Sequence, residues 1–199
     1  MKKFLNSKGY TLVELLAVII ILVSVGGIII AIVTTSLRGG NRSINVNEVR
    51  QEGNFAITQM SRMIKYAKSF DGVSADGSAN SYTTSCLPIT ITPTPAPVKY
   101  KYLKITSFEG GVITFSCKDG ASDITNLLSS NSANLINTSK VSLVEDSCYF
   151  SCNQDNSILS PIIDIHFDLT PYTSVTPVFV ENTLTIPFQT SVVFRNIGN

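Results

Sequence analysis

The hydrophobic pattern divides this chain into an apolar N-terminal segment and a longer, mixed remainder. Residues 15–33 contain no charged side chain and are dominated by Leu, Ile and Val. As an α-helix rising about 1.5 Å per residue, these roughly 19 residues would extend about 28 Å, close to the hydrocarbon thickness of a bilayer. The pattern therefore predicts a membrane-spanning helix within residues 10–37.

A different periodicity follows, in which apolar residues recur every three, four or seven positions. This spacing is typical of an amphipathic helix whose apolar stripe faces a core. The stripe comprises Val49, Ala56, Met60, Ile64 and Ala67, whereas Arg50, Gln51, Arg62 and Lys65 fall on other faces. We expect this helix within residues 38–70, where it follows a break at Gly39-Gly40. We also expect it to pack on the protein's own sheet.

The remaining residues, 71–199, carry the signals of a β-rich domain. Residues 71–97 are rich in Gly, Ser, Thr and Pro and predict a surface loop. Strand signals cover residues 98–105, 112–116, 141–144, 163–169, 178–180, 184–186 and 191–194, and Glu109-Gly110-Gly111 joins the first two in a hairpin. The predicted fold class is α+β, with a long helix packed on an antiparallel β-sheet, and with residues 45–70 and 71–199 forming one globular unit.

Charged residues beside the apolar run indicate its orientation. Lys2, Lys3 and Lys8 precede the run, and Arg38 and Arg42 follow it. The lysine excess predicts a cytoplasmic N-terminus and an extracytoplasmic remainder. Removal of residues 1–9 would leave 12 basic residues against 14 acidic ones. Such a weakly acidic chain has little electrostatic attraction for nucleic acid, which is therefore not a favoured partner.

Two ordinary explanations compete for the apolar run. A secretory signal peptide has an apolar run of about 7–15 residues and a small-x-small cleavage site, but this run is longer and Ala31-Ile32-Val33 offers no such site. A plain signal anchor accounts for the length and the flanks. It does not account for Glu14, because a carboxylate at the threshold of the lipid costs about 2.5 kcal/mol or more unless it is compensated. Glu14 could instead lie near the headgroups, within reach of water or of Lys8.

The sequence Lys8-Gly9-Tyr10-Thr11-Leu12-Val13-Glu14-Leu15-Leu16 resembles the processing site of type IV prepilins and pseudopilins. The resemblance implies a leader of residues 1–9, cleavage after Gly9 by a prepilin peptidase, and N-methylation of Tyr10, which stands where the family usually has phenylalanine. Gly9 suits a protease cleft because no side chain restricts its backbone. The resemblance also implies that Glu14 pairs with the N-terminal amine of a neighbouring subunit. That pair would neutralise two charges that are each unfavourable alone in a low-dielectric helix bundle.

Two further features bear on the type of subunit. Major pilins often carry a proline near Ala31, whereas this chain has Gly26-Gly27, which predicts either local unwinding or close helix packing in the membrane. Residues 60–67 and 188–196 resemble minor pilins and J-type minor pseudopilins. This second resemblance favours a minor subunit and leaves a major subunit open.

Four cysteines, Cys86, Cys117, Cys148 and Cys152, lie in the part expected to be extracytoplasmic, where disulfides can form. Four cysteines allow three connectivities. Of these we favour Cys86 with Cys117 and Cys148 with Cys152. The Cys148-x-x-x-Cys152 spacing could also supply two zinc ligands, but no second close pair accompanies it, so zinc is disfavoured.

Asp164, His166 and Asp168 are expected on one face of a strand, where a metal or acid–base site would be conceivable. Alternating polar residues on a solvent face need no functional cause, so we assign no metal site. The sequence lacks a Gly-x-Ser-x-Gly elbow, a P-loop and a Gly-x-Gly-x-x-Gly turn. We therefore expect neither enzymatic activity nor a cofactor.

Together, the resemblance and the pattern imply a structural subunit, with a minor one favoured, of a type IV pilus or a type II secretion pseudopilus. The expected location is a single pass through the cytoplasmic (inner) membrane, and after assembly a filament in the periplasm or at the cell surface. The expected partners are prepilin peptidase, other pilin or pseudopilin subunits and the membrane. The competing hypothesis is a non-polymerising, membrane-anchored surface binding protein or adhesin whose prepilin-like N-terminus only directs export.

Overall fold

The computed structural model describes residues 10–86, 98–117, 127–128, 133–154, 160–172 and 184–195. Within these ranges the chain forms one helix, α1 (Leu12–Lys65), and eight strands. The chain divides into two compact units, Met1–Ser43 and Ile44–Asn199. The residues of α1 up to 43 belong to the first unit, and those from 44 onward belong to the second.

The helical segment of the first unit is apolar on every face. The six consecutive residues 18–23 are all Val, Ile or Leu, and each is exposed by 50% to 70%. Because an α-helix turns about 100° per residue, six successive residues point in all directions around the axis. A helix that is apolar all round needs lipid or other helices to cover it. By length and composition, α1 is able to cross a membrane.

The helix continues through both glycine pairs. Gly26-Gly27 and Gly39-Gly40 lie within α1, so the predicted break at Gly39-Gly40 is wrong. Each glycine weakens a helix by about 1 kcal/mol relative to alanine. Helix formation is cooperative, and the long helical stretches on both sides of each pair carry that local cost.

In the second unit, α1 packs on β-structure through the predicted apolar stripe. Val49, Ala56, Met60 and Ile64 are completely buried, as is Ala67 just beyond the helix. The polar residues assigned to other faces, Arg50, Gln51, Arg62 and Lys65, are exposed. The amphipathic pattern is therefore confirmed, although the helix ends at Lys65 rather than at residue 70.

The strands form two antiparallel groups of four. The first is a meander of β1 (Ser69–Ser74), β2 (Tyr102–Thr106), β3 (Val112–Cys117) and β4 (Leu127–Leu128). The second comprises β5 (Val141–Leu143), β6 (Tyr149–Asn153), β7 (Ile162–Pro171) and β8 (Ile186–Val193). Both β5 and β6 pair with one edge of β7, and β8 pairs with the other. The groups are joined where Tyr100 and Phe150 exchange two backbone hydrogen bonds of 2.8 Å.

The α+β class is confirmed, and most of the predicted strands are present. The segments predicted at 98–105, 112–116, 141–144 and 163–169 correspond to β2, β3, β5 and β7, and β2 and β3 form the expected hairpin. The segments predicted at 184–186 and 191–194 belong to one strand, β8. The segment predicted at 178–180 and the Pro-rich part of the predicted loop lie outside the described residues.

Three strands were not predicted: β1, β4 and β6. Strand β4 has only two residues, and β1 and β6 each depart from a simple alternating pattern. Strand β1 lies where a helix end and a loop were expected, and it contains Asp71 and Gly72, residue types that are rare in strands. Its register shifts between Phe70 and Gly72, so a β-bulge breaks its period of two. In β6 the adjacent residues Phe150 and Ser151 are both buried, which leaves no alternation to detect.

The core of the globular unit is closed by an unusually close approach between the helix and β8. Gly53 lies in the gap of the buried stripe between Val49 and Ala56. A Cβ atom at Gly53 would lie 2.1 Å from Cζ of Phe188, whose ring stacks on Phe167 at a centroid distance of 5.4 Å. The ring of Phe188 therefore occupies the space that a side chain at position 53 would need.

We expect Gly53→Ala to destabilise the globular unit. The added methyl group would force the Phe188 ring out of its packed position, and such overpacking typically costs about 1–3 kcal/mol. This cost outweighs the gain of about 1 kcal/mol that alanine offers in a helix. Thermal unfolding of the full chain in detergent micelles, followed by near-UV circular dichroism, measures the effect.

The matched control is Gly40→Ala, which adds the same methyl group to the same helix in open space, with nothing within 4 Å of it. This variant should unfold at an unchanged or slightly higher temperature. Equal stability of the two variants would contradict the packing role assigned to Gly53.

Candidate functional site

The N-terminus of α1 is organised by Thr11. Its side-chain Oγ1 accepts a hydrogen bond from the Glu14 backbone N–H at 3.3 Å, and its carbonyl accepts one from the Leu15 N–H at 3.2 Å. Tyr10, just ahead of the helix, is 82% exposed. Gly9 lies outside the described residues. Thr11 is therefore the N-cap residue, and it fixes the position at which the helix begins.

The Thr11 cap engages Glu14 through its backbone N–H, a contact that was not predicted. Thr11 and Glu14 stand three residues apart, the spacing of the capping box, in which a threonine cap is followed by Glu or Gln at the third helical position. An acidic side chain in the first turn also interacts favourably with the helix dipole. The Glu14 side chain is exposed and forms no ion pair with any residue that the structure describes. The carboxylate is thus accessible to a group from outside the chain.

The hydroxyl groups of Ser24, Thr34 and Thr35, within and directly after the apolar run, are satisfied by the helix itself. Ser24 Oγ donates to the carbonyl of Ile20 at 2.8 Å, and Thr35 Oγ1 donates to that of Ala31 at 2.8 Å. Thr34 Oγ1 makes a similar bond to Ile30 at 2.9 Å. In an apolar environment an unpaired hydroxyl is costly, and bonding to the carbonyl one turn back removes that cost. The side chains of this segment therefore suit lipid or a bundle of apolar helices.

All four cysteines are joined in two disulfides, Cys86–Cys152 and Cys117–Cys148. Their Cα–Cα distances are 5.2 and 5.4 Å, within the usual range for disulfides. Cys117 ends β3 and Cys148 precedes β6, so this bond links the two groups of strands. Cys152 lies within β6, and its bond to Cys86 ties that strand to the segment that follows β1.

The pairing that we favoured from the sequence, Cys86 with Cys117 and Cys148 with Cys152, is wrong. The reason is strand β6, which extends from Tyr149 to Asn153. At about 3.3 Å per residue, two cysteines separated by four residues along a strand lie roughly 13 Å apart, well beyond the reach of a disulfide. Since the strand was not predicted, its effect on the pairing was not foreseen.

A polar cluster covers the face of the second group of strands that points away from α1. Asp164 on β7 accepts hydrogen bonds from Ser151 Oγ at 3.0 Å, Asn153 Nδ2 at 3.1 Å and Ser191 Oγ. These three partners lie on the strands at either side of β7. Asp164 therefore links three strands, a structural use for a carboxylate that the sequence placed only on a strand face.

His166 is held by its neighbours on the same face. Its Nδ1 donates to the Ser147 carbonyl at 2.9 Å, its Nε2 lies 3.7 Å from Asp168 Oδ1, and its ring stacks on Tyr149 at 4.8 Å. The Ser147 hydroxyl donates to the Val144 carbonyl at 2.7 Å and is not turned toward the imidazole. Within the described residues, no three His, Cys, Asp or Glu side chains are grouped so that they could hold a metal ion. The arrangement is that of a packed polar surface.

A second polar feature organises the chain after β1. Hydrogen bonds from the hydroxyl of Ser81 first, and then from the backbone and side chain of Ser78 and the side chain of Ser74, hold the pKa of Asp76 well below its usual range. Ser74 Oγ lies 3.0 Å from Asp76 Oδ1, and the Ser78 N–H lies 3.1 Å from the same oxygen. Part of the predicted surface loop therefore has a defined, locally bonded structure.

Comparison with known proteins adds no relative: no family model, curated protein or solved structure matches this chain. The features available for a functional argument are therefore the sequence motif at residues 8–16, the apolar helix and the globular unit.

We expect peptide mapping to recover the two disulfides seen in the structure. Digestion without reduction should give one linked pair containing Cys86 and Cys152 and another containing Cys117 and Cys148, identified by mass spectrometry. Removal of either bond should lower the free energy of unfolding by about 2–4 kcal/mol, because the crosslink restricts the unfolded chain.

A single substitution separates the two pairings directly. Cys148→Ser should leave Cys117 as the free thiol and keep the bond between Cys86 and Cys152, as alkylation of the unreduced protein would show. Alkylation at Cys152 instead would support the pairing that we rejected.

Proposed function

We propose that this protein is a structural subunit of a type IV pilus or a type II secretion pseudopilus, cleaved after Gly9 and methylated at Tyr10. The observation that carries the proposal is the apolar segment of α1, which is uncovered on every face and bonds its own hydroxyl groups. Such a segment suits lipid before assembly and a bundle of like helices afterwards.

The apolar surface of this segment is large enough to keep it out of water, in a membrane or in a bundle of helices. More than ten large apolar side chains between Leu15 and Val33 are at least half exposed. Removing each from water contributes about 1.5–3 kcal/mol, so the segment as a whole would be strongly excluded from an aqueous environment. In a membrane this term is already satisfied, and helix association then depends on packing and on polar contacts.

Glu14 supplies the polar contact in this proposal. Its carboxylate is exposed at the first turn of α1, and we assign it to the methylated amine of Tyr10 in a neighbouring subunit. Two opposite charges within a low-dielectric bundle strongly favour each other, while either one alone is costly. The pair would therefore set the axial register between neighbouring helices.

Two finer assignments belong to the same proposal. The basic residues ahead of the helix favour a cytoplasmic N-terminus and an extracytoplasmic globular unit. The resemblance of residues 60–67 and 188–196 to minor pilins and J-type minor pseudopilins favours a minor subunit. The expected partners remain prepilin peptidase and other pilin or pseudopilin subunits.

Processing is tested by the mass of the N-terminal peptide of protein purified from its native membrane. We expect a mature chain that begins with N-methylated Tyr10. A chain that still begins with Met1 would leave a plain signal anchor and overturn the proposal.

The role of Glu14 is tested with Glu14→Ala and Glu14→Gln, because the two variants separate charge pairing from helix capping. Glutamine serves in a capping box as glutamate does, but it carries no charge. If Glu14 acts as an ion-pair partner, both variants should reduce incorporation into sheared filaments by about tenfold or more, as immunoblotting measures.

Filament incorporation of Glu14→Gln at the wild-type level would assign Glu14 to capping alone. Thr11→Ala is the matched control for capping: it removes the hydroxyl that caps the helix, at a cost of about 1 kcal/mol, and keeps the carboxylate. In a non-polymerising adhesin, Glu14→Ala would leave surface binding unchanged and no filament would contain the protein.

A further inference from the structure

A groove of about 530 Å³ lies within the globular unit between the end of α1 and β8. The helix contributes Thr58, Ser61, Arg62 and Lys65 to its lining, and β8 contributes residues 190–193. The volume falls in the range of sites that bind small ligands.

The lining residues show that the groove follows the edge of β8. Side chains alternate between the two faces of a strand, so a cavity against one face would touch only every second residue. This groove touches four consecutive residues of β8. On the helix, the spacing of the lining residues corresponds to a single stripe along one side. The groove is therefore bounded by a strand edge and a helix face.

The hydrogen bonds of β7 determine which backbone groups point into the groove. The Asp168 N–H donates to Ser147 Oγ, and the Asp168 carbonyl accepts from the Val144 N–H, so its backbone faces β5 and β6. Asp168 is paired with Pro187 across the β7–β8 ladder. Because the backbone of Asp168 is turned away from β8, this is a non-hydrogen-bonded pair, in which both residues direct their backbone N–H and C=O groups away from each other. Pro187 therefore faces the outer edge of β8.

Along β8 the backbone groups of successive residues alternate between pointing toward β7 and pointing outward. The backbone N–H and C=O groups of Gln189, Ser191 and Val193 point outward, like those of Pro187. The proline fits this assignment, because a residue without an N–H is tolerated where no ladder bond is lost. At one end the Arg195 N–H donates to the Lys65 carbonyl at 3.0 Å and closes the groove. Among the described residues, the outward backbone groups at positions 189, 191 and 193 have no backbone partner.

The charge of the groove is positive. Arg62 and Lys65 line it, and no described acidic residue does so. Neither cation forms an ion pair with a residue in the described part of the chain, and Lys65 Nζ lies 6.0 Å from the centroid of the Tyr66 ring. Within the described part of the chain, a row of backbone donors and acceptors without backbone partners thus lies beside two cations.

We propose that this groove binds an extended acidic segment of a partner protein as an additional strand on β8. The backbone of the segment pairs with Gln189, Ser191 and Val193, which is the geometry of β-strand addition at a sheet edge. Arg62 and Lys65 hold carboxylates of the segment, and arginine binds a carboxylate through two parallel hydrogen bonds. The inference depends only on the globular unit and goes beyond the filament role proposed above.

The test uses the full chain in detergent micelles and a fluorescein-labelled peptide of alternating Val and Glu, with binding measured by fluorescence anisotropy. Val193→Pro removes one outward N–H and leaves every charge in place. This variant should bind the peptide about tenfold more weakly. Val193→Thr keeps the N–H and should bind within about twofold of the unmodified protein. Equal binding by these two variants would overturn the strand-pairing proposal.

Charge is tested with Arg62→Glu/Lys65→Glu, which should weaken peptide binding by about tenfold or more. The control Arg50→Glu/Lys68→Glu makes the same charge change at two exposed residues that do not line the groove, and should bind within about twofold. Near-UV circular dichroism checks that all four variants are folded.

Two further peptides identify the kind of contact. A version N-methylated at alternate residues, and a version with Lys in place of Glu, should both fail to bind. If the N-methylated peptide binds as well as its parent, the groove recognises anionic groups without strand pairing and the proposal is wrong. Absence of saturable binding of the Val/Glu peptide up to about 1 mM also overturns it.

Discussion

The packing of the apolar stripe of α1 on the β-structure is the contact on which the globular unit depends. Val49, Ala56, Met60 and Ile64 are completely buried there, and Gly53 leaves the space that the Phe188 ring fills. Because strands β7 and β8 pack on this stripe, the outer face of the second group of strands is left to polar residues such as Asp164 and His166. The same contact also holds the edge of β8 beside the helix and so forms the groove.

One helix serves two environments, and its sequence changes character accordingly. Residues 15–33 are apolar all round, and the one hydroxyl group among them, that of Ser24, bonds to the helix itself, whereas from residue 44 onward only one stripe is apolar. A helix of the first kind needs lipid or other helices, and one of the second kind needs a core. The continuity of α1 through its glycine pairs means that this change occurs without a break in backbone hydrogen bonding.

The disulfides and the hydrogen-bonded polar clusters stabilise a unit in which several strands are short. The bond between Cys117 and Cys148 joins the two groups of strands covalently, at the side where Tyr100 and Phe150 also join them by hydrogen bonds. Both disulfides suit an oxidising compartment, which agrees with the extracytoplasmic location proposed for this unit. Crosslinks of this kind stabilise the folded unit by restricting the unfolded chain.

The sequence by itself determined the features that depend on local periodicity. The membrane-compatible run, the buried stripe from Val49 to Ala67, the β2–β3 hairpin and the alternation of β7 could all be predicted, because helices and strands repeat every 3.6 and 2 residues. The spacing of Thr11 and Glu14, and the glycine in the buried stripe at position 53, are further local signals in the sequence, of the helix cap and of the close packing against Phe188. Only the tertiary structure decided the pairing of the cysteines, the strands β1, β4 and β6, and the position of the β8 edge beside the helix. These features depend on which distant segments lie side by side, and a bulge or a strand buried on both faces leaves no regular pattern from which that pairing could be inferred.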